Sequence, residues 1–189
     1  MIYDSFGEML FAHFGLTGPI VLSGSSVLNR IQDVDNKLNN HKVYASIDLK
    51  PALSEEVLDK RIQRDFEKYS NKEFKNALDD LLPQKLIPII IEKSKISEDK
   101  KVHQITREER LRLVNSIKDL KIVLSGFMPI DIAIVTCGGV DVKQVNPKTM
   151  ESKVIPNLYL AGEVLDIDAL TGGFNLQIAF STAVAAGKN

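Results

Sequence analysis

Two carboxylates and a pair of glycines near the end of the chain are the residues best suited to do chemistry. Glu163 and Asp166 follow a short apolar run, and Gly172 and Gly173 precede a long apolar segment. The start of a helix carries unpaired N–H groups and a partial positive charge, so it suits an anionic group. Glycines let a ligand approach the backbone closely. A packing helix whose glycines only make a turn is the alternative interpretation.

The elements that must position these residues are predicted as a strand, a turn, a loop and a helix. Residues 158–161 form an apolar run that fits a buried strand, and Gly162 ends it. Ligands of open α/β sheets bind beyond the carboxyl ends of strands, which is where Glu163 and Asp166 would lie. The helix predicted over 171–186 is apolar nearly all round, which is typical of a buried helix.

Composition argues against several classes of function. The net charge is −1, so no global basic field recruits nucleic acid and we expect no nucleic-acid partner. The longest apolar runs, such as 86–91, are too short to cross a membrane, and the first residues do not resemble a signal peptide. A single cysteine, Cys137, excludes an internal disulfide and a cysteine metal cluster. We therefore expect a cytoplasmic protein without a metal site.

Hydrophobic periodicity predicts a mixed α+β fold. Residues 43–49 alternate between apolar and polar side chains, which indicates a half-buried strand. Residues 54–118 show helical spacing and predict four helices with their own small core, one of them starting at a capping box formed by Thr106 and Glu109. The period then changes to two, and a buried strand is predicted over 131–136.

Four stretches together resemble a known family. In chain order they are Gly-Glu-Met-Leu-Phe-Ala-His-Phe-Gly-Leu-Thr-Gly-Pro (7–19), Ile-Val-Thr-Cys-Gly-Gly-Val (134–140), Thr-Met-Glu-Ser-Lys (149–153) and the segment 158–180. They resemble a bacterial family of NAD(P)/FAD-dependent oxidoreductases that includes aminoacetone oxidase and BaiN-type bile-acid reductases. The resemblance covers essentially the whole chain.

This resemblance implies a domain organisation, a cofactor and a reaction. Residues 1–53 would belong to a β-rich middle domain, 54–118 to a helical insertion domain, and 119–189 to the C-terminal half of a Rossmann-like FAD-binding domain. The implied reaction is hydride or electron transfer between FAD and a small organic substrate, with O2 or NAD(P)H as the second partner. The residues implied to bind FAD lie at the acidic turn and the helix start: Gly162, Glu163, Asp166, Gly172, Gly173, Phe174, Asn175 and Leu176.

Each polar candidate has a functional and a structural interpretation. By the resemblance, Glu163 accepts a hydrogen bond from a ribityl hydroxyl of FAD; otherwise it is a solvated turn carboxylate. Asp166 is a second acceptor or caps the following loop. Asn175 adds a side-chain hydrogen bond to the flavin or caps the helix, and the N–H of Leu176 is a candidate donor to the flavin edge.

Catalytic residues are not identified by the sequence. His13 and Thr17 are candidates for substrate contact or proton transfer, because the resemblance places their segment near the flavin face. A satisfied core histidine is the alternative for His13. Cys137 is predicted to be a small buried hydrophobe rather than a redox thiol.

One feature of the family is not found in this sequence. Members begin with a strand, a Gly-x-Gly-x-x-Gly turn and a helix, and no such fingerprint occurs here. The chain is therefore expected to be a C-terminal portion whose partner is the N-terminal FAD-binding half. The alternative is a non-catalytic fragment or subunit that needs a separate N-terminal polypeptide.

Overall fold

The computed structural model describes residues 1–188, and the chain divides into two compact units. One unit combines Met1–Asn39 with the chain from Gly126 onward, and the other is Asn40–Ser125. Helices and short strands alternate, which confirms the mixed α+β class. The elements are β1 (Leu10–Ala12), β2 (Gly15–Thr17), α1 (Pro19–Asn29), α2 (Val34–Asn39), β3 (Tyr44–Ile47), α3 (Glu55–Lys68), α4 (Ile87–Ser94), α5 (Arg107–Lys118), β4 (Leu120–Val123) and α6 (Phe174–Gly187). None of the helices in residues 1–188 combines the length and apolarity that a bilayer crossing requires.

The first unit begins with a tight hairpin that leads into α1. Strands β1 and β2 pair antiparallel, with Leu10 opposite Thr17. Gly18 stands at the N-cap of helix α1, where a threonine such as the neighbouring Thr17 would be the usual cap, and Pro19 occupies the first turn. Gly18 has a φ of 105°, and a Cβ there would lie 2.8 Å from the Cα of Met9, so the close passage of the chain requires glycine.

The polar, asparagine-rich composition of residues 32–42 predicts a loop, but the structure forms helix α2 there. Its composition is polar, but Val34 and Leu38 are buried and stand four residues apart. That spacing places both on one face of a helix. Two apolar side chains among polar residues are too few to give a hydrophobic periodicity that predicts a helix.

The segments predicted as buried strands at 131–136 and 158–161 are not strands. Ile130–Ile132 forms a 3₁₀ turn, and Ile134 is 71% exposed. Tyr159 makes a single antiparallel bridge to Glu151, and Leu158 is exposed. This part of the unit packs around a small buried cluster of Val145, Met150 and Leu165. Apolar runs predicted these two strands, but a strand needs a paired neighbour. Within the described residues, 158–161 has a single bridge at Tyr159 and 131–136 has none.

Helix α6 also differs from its prediction, because none of its residues is buried. Leu176 is 63% exposed and Phe180 is 66% exposed. The helix was predicted to lie in the interior because it is apolar nearly all round. Within its unit the expected neighbouring strands do not form, so its large side chains have no sheet to pack against.

The second unit contains three of the four predicted helices and a strand pair. Strands β3 and β4 pair antiparallel, with Tyr44 opposite Val123 and Ile47 opposite Leu120. Three helices, α3, α4 and α5, pack together, while a 3₁₀ turn at Phe74–Asn76 stands in place of the predicted fourth helix. The most deeply buried apolar side chains are Leu58, Ile62, Phe74, Leu78, Ile90, Leu113 and Ile117.

Side-chain caps define the starts of two helices in this unit. Ser54 caps α3 by accepting from the N–H of Val57 at 3.3 Å. Thr106 and Glu109 form both hydrogen bonds of the capping box that the sequence predicted. The compact unit also takes in β3 and β4, so its limits are wider than the predicted helical segment 54–118.

Candidate functional site

An ion pair between α1 and the loop before α6 organises the candidate site. Nη2 of Arg30 lies 2.6 Å from Oδ1 of Asp168, and the hydroxyl of Ser26 donates to Oδ2 at 2.8 Å. The side chain of Asp168 is only 8% exposed, whereas that of Arg30 is 55% exposed. The carboxylate therefore sits in the protein with both oxygens bonded, and the guanidinium faces solvent.

The ionised form of Asp168 is favoured by these contacts. Burial is the largest single influence and works to raise its pKa. The hydrogen bonds from Arg30 and Ser26, the charge of Arg30 and a hydrogen bond with Cys137 act in the opposite direction, and together they hold the pKa of Asp168 below its ordinary value. The Asp168 carboxylate in turn raises the pKa of Arg30 through the same hydrogen bond and charge pair.

A cavity of about 380 Å³ lies beside this pair. Its walls are Arg30, Cys137, Asp166, Ile167 and Asp168. One cation and two carboxylates thus face one space, together with an exposed thiol. Cys137 was predicted to be a buried hydrophobe, and its exposure corrects that prediction.

The position of Cys137 follows from a close crossing of two backbone segments. Val140 donates its N–H to the carbonyl of Val164, and Asp166 donates its N–H to the carbonyl of Val140, both at 2.9 Å. Gly139 has a φ of 136°, and a Cβ there would lie 2.5 Å from the carbonyl oxygen of Val164. The second glycine of the Cys-Gly-Gly motif is therefore needed for the segments to meet.

The loop between Asp168 and α6 is held at both ends by side chains. The amide of Asn175 donates to the carbonyl of Ala169 and accepts from its N–H, both at 2.8 Å. The hydroxyls of Ser23 and Thr171 lie 3.1 Å apart and tie the loop to α1. Both polar groups of the Asn175 side chain are thus bonded to Ala169, so this side chain does not cap its own helix.

The start of α6 is open. Gly172 and Gly173 have φ values of 121° and 87°, and nothing lies within 4 Å of a Cβ built on Gly173. Within residues 1–188, no acceptor receives the N–H of Phe174, Asn175 or Leu176. Such a helix start presents free donors and a partial positive charge.

The acidic turn lies against the middle of α6 and not at its start. Gly162 donates its N–H to the hydroxyl of Thr182 at 3.0 Å, and a Cβ on Gly162 would lie 3.8 Å from that of Ala179. Glu163 is exposed in the 3₁₀ turn Gly162–Val164. Among the eight residues predicted to bind a cofactor, Asp166 lines the cavity, while Glu163 and the helix start do not. Their binding role stays a prediction.

The two catalytic candidates lie in the hairpin and do not line this cavity. His13 is exposed and packs edge-to-face on Phe14, with ring centroids 5.0 Å apart. His13 is therefore not a core histidine, and its contact with Phe14 does not assign it a role in proton transfer. Thr17 is half-buried and pairs with Leu10.

Sequence reasoning missed Arg30, Ser26 and Asp168. Asp168 follows Asp166 by two residues, and Arg30 is the sole arginine before residue 61. A lone arginine at the end of an apolar helix is a weak signal for a specific carboxylate partner. The pairing itself joins residues 138 positions apart, which no local pattern encodes.

Comparisons with known proteins identify related sequences over the whole chain. The family described as HI0933-like protein barrel and H2TH domain matches residues 1–135, and the HI0933-like protein Rossmann domain matches 93–189. Ribosomal RNA dihydrouridine synthase of Haemophilus influenzae is 33% identical over 95% of this chain, and that of Escherichia coli is 32% identical over 96%. The 3-dehydro-bile acid delta(4,6)-reductase of Clostridium scindens is 25% identical over the full chain. The matches cover 41%, 42% and 45% of these relatives, so the chain spans less than half of their length.

Proposed function

Since the chain belongs to the HI0933-like family, we propose that it is the C-terminal part of an FAD-dependent oxidoreductase. It would act on a small organic substrate by hydride or electron transfer, with NAD(P)H as a candidate co-substrate. The reductase relative and the Rossmann-domain match support an oxidoreductase of this kind. The alternative is a non-catalytic fragment or subunit that needs a separate N-terminal FAD-binding polypeptide.

The observation that carries the proposal is the open start of α6. Three backbone N–H groups lack an acceptor within residues 1–188. Nothing lies within 4 Å of a Cβ built on Gly173, while the ring of Phe174 lies 3.3 Å from a Cβ built on Gly172. A flavin carries oxygen and nitrogen acceptors along its pyrimidine edge, so these donors fit it. The bound cofactor would supply the hydride or electron transfer itself.

The helix would also influence the charge of such a ligand. A helix start stabilises a nearby anion by about 0.3–1 kcal/mol, and by up to ~2 kcal/mol when partly buried. The N–H groups of Asn175 and Leu176 would thus favour the reduced, negatively charged form of the flavin edge. Asn175 contributes by fixing the loop at Ala169, since its side chain is already bonded there.

The exposed apolar side of α6 supports a missing neighbour. Leu176 and Phe180 are large and mostly exposed, and Ile134 of the Ile-Val-Thr-Cys-Gly-Gly-Val stretch is exposed as well. Apolar surface of this kind usually marks an interaction site. We propose that the N-terminal FAD-binding half covers these residues, either within a longer protein or as a separate chain.

The substrate class has two candidates. The names of the three relatives describe the formation of dihydrouridine in ribosomal RNA and the reduction of a bile acid. Both reactions add hydrogen across a carbon–carbon double bond, so we propose that chemistry for the complete enzyme. Uridine in RNA is the second candidate substrate beside a free small molecule, because the two synthases share 33% and 32% identity with this chain against 25% for the reductase.

Reconstitution tests the proposal. The purified chain is mixed with FAD, alone or with the part of the Haemophilus influenzae relative that lies outside the matched region, then desalted. We expect little flavin absorbance with the chain alone and clear retention with both parts. A colourless, redox-inactive mixture of the two correctly folded parts would overturn the enzyme proposal and leave the non-catalytic alternative.

A further inference from the structure

Charge is divided unevenly between the two units. Residues 40–125 hold 18 of the 24 Lys and Arg residues but 15 of the 25 acidic residues. This unit therefore has a net charge of +3, and the rest of the chain has −4. The whole-chain charge of −1, on which the expectation of no nucleic-acid partner rests, conceals this division.

Three cations of the second unit line one groove. Lys93 and Lys95 lie at the end of α4, and Arg112 lies on the facing side of α5, around a cavity of about 490 Å³. All three are exposed. Arg112 donates its Nε–H to the carbonyl of Ser94 at 3.1 Å, which fixes the guanidinium over the groove and leaves its terminal nitrogens available.

Some cations of the unit have an acidic partner among the described residues and others do not, and the three groove cations belong to the second group together with Lys60 and Arg64. Lys68 pairs with Asp80 at 2.8 Å, and Lys100 pairs with Glu109 at 2.7 Å. Within residues 1–188, neither Lys93, Lys95 nor Arg112 takes part in an ion pair. Glu108 is the sole carboxylate in the groove wall, so the wall carries an excess of two positive charges.

The end of a helix accounts for only part of this charge. A helix C-terminus carries about half a negative charge, which favours cations in its last turn. Three cations against one carboxylate and half a charge still leave a positive groove. Its remaining surface is suited to a nucleotide chain, since Leu111 offers an apolar contact and Asn115 an exposed amide.

We propose that this α4–α5 groove binds the backbone phosphates of RNA. The inference rests on the proposed function with uridine in RNA as substrate, and it assigns the helical unit the task of holding the RNA strand. Phosphate contacts by Lys and Arg position a nucleic acid and supply most of its salt-dependent affinity. The groove offers three such cations without competing internal partners.

The test is binding of a fluorescein-labelled RNA hairpin to the 189-residue chain, followed by anisotropy over a range of salt concentrations. The variant Lys93→Gln/Lys95→Asn removes two cations; Asn suits position 95 because Lys95 has a φ of 57°. The matched control, Lys60→Gln/Arg64→Gln, removes two exposed cations from α3. We expect the groove variant to bind about 10-fold more weakly and its log–log salt slope to fall by about 2, with the control within about 2-fold of wild type.

Equal losses in the two variants would overturn the inference, as would tighter binding of a DNA hairpin of the same sequence. Neither result depends on flavin, so the RNA measurement separates this inference from the proposed oxidoreductase. Retention of FAD by the reconstituted protein without groove-dependent RNA binding would leave the oxidoreductase standing and contradict the groove assignment alone.

Discussion

Arg30 and Asp168 form an ion pair with a nitrogen–oxygen distance of 2.6 Å, although 138 residues separate them in the chain. The pair joins the residue that ends α1 to the loop that leads into α6. Because Ser26 bonds the other carboxylate oxygen, Asp168 is held from two positions of one helix face. These two contacts tie the loop between Asp166 and the start of α6 to helix α1.

Removing Asp168 should destabilise the first unit. The variant Asp168→Ala leaves Ser26 without its acceptor and deletes a nearly buried carboxylate, so we expect a loss of about 1–3 kcal/mol in the free energy of unfolding. Arg30→Gln should cost less, under about 1 kcal/mol, because the guanidinium is largely exposed. Urea unfolding followed by circular dichroism measures both. An equal or larger loss for Arg30→Gln would contradict this assignment of the anchor.

The same carboxylate should give the unit a dependence on acid. The pKa of Asp168 is lower in the folded chain than its ordinary value of 3.8, so its stabilising effect is complete above that value. The effect is lost as the pH falls through the lower folded pKa. We expect the stability difference between wild type and Asp168→Asn to be constant from pH 5 to pH 7 and to shrink below about pH 4. A difference that grows on acidification would show that the pKa is raised.

Two adjacent glycines provide a matched test of the backbone crossing. Gly138 and Gly139 both have positive φ, but only a Cβ on Gly139 would collide with the carbonyl of Val164. We expect Gly138→Ala to cost about 1–2 kcal/mol from backbone strain. Gly139→Ala should cost a further ~1–3 kcal/mol from the forced separation of the two segments. The denaturant midpoints of the two variants measure this difference in stability. Equal midpoints would contradict the close contact between the backbone at Gly139 and the carbonyl of Val164.

The sequence predicted what local patterns encode. Thr106 and Glu109 predicted the start of α5, because a capping box bonds within three residues, and the cap that Ser54 forms on α3 is equally local. The pairing of Tyr44 with Val123 and of Arg30 with Asp168 could not be read in this way, since each joins distant segments. The resemblance to the flavoprotein family supplied the identity that composition and periodicity left open.

The errors have a common physical cause. Apolar runs at 131–136 and along α6 correctly indicated surfaces that favour burial. Hydrophobicity says that a side chain favours removal from water, but it does not say which segment covers it. In the described chain Ile134, Leu176 and Phe180 stay exposed, so the prediction of burial was wrong for this chain.

The central claim, that the start of α6 receives the anionic edge of a bound flavin, is tested most directly at Gly173. Asp and Asn both tolerate the left-handed backbone at this position, and nothing lies within 4 Å of the added Cβ. The two side chains are nearly isosteric and differ in charge. The measurement is titration of FAD into the two-part reconstituted protein carrying Gly173→Asp or Gly173→Asn, with circular dichroism to confirm equal folding. We predict that Gly173→Asp binds FAD at least about 10-fold more weakly than Gly173→Asn, about 1.4 kcal/mol. Equal affinities would contradict the account.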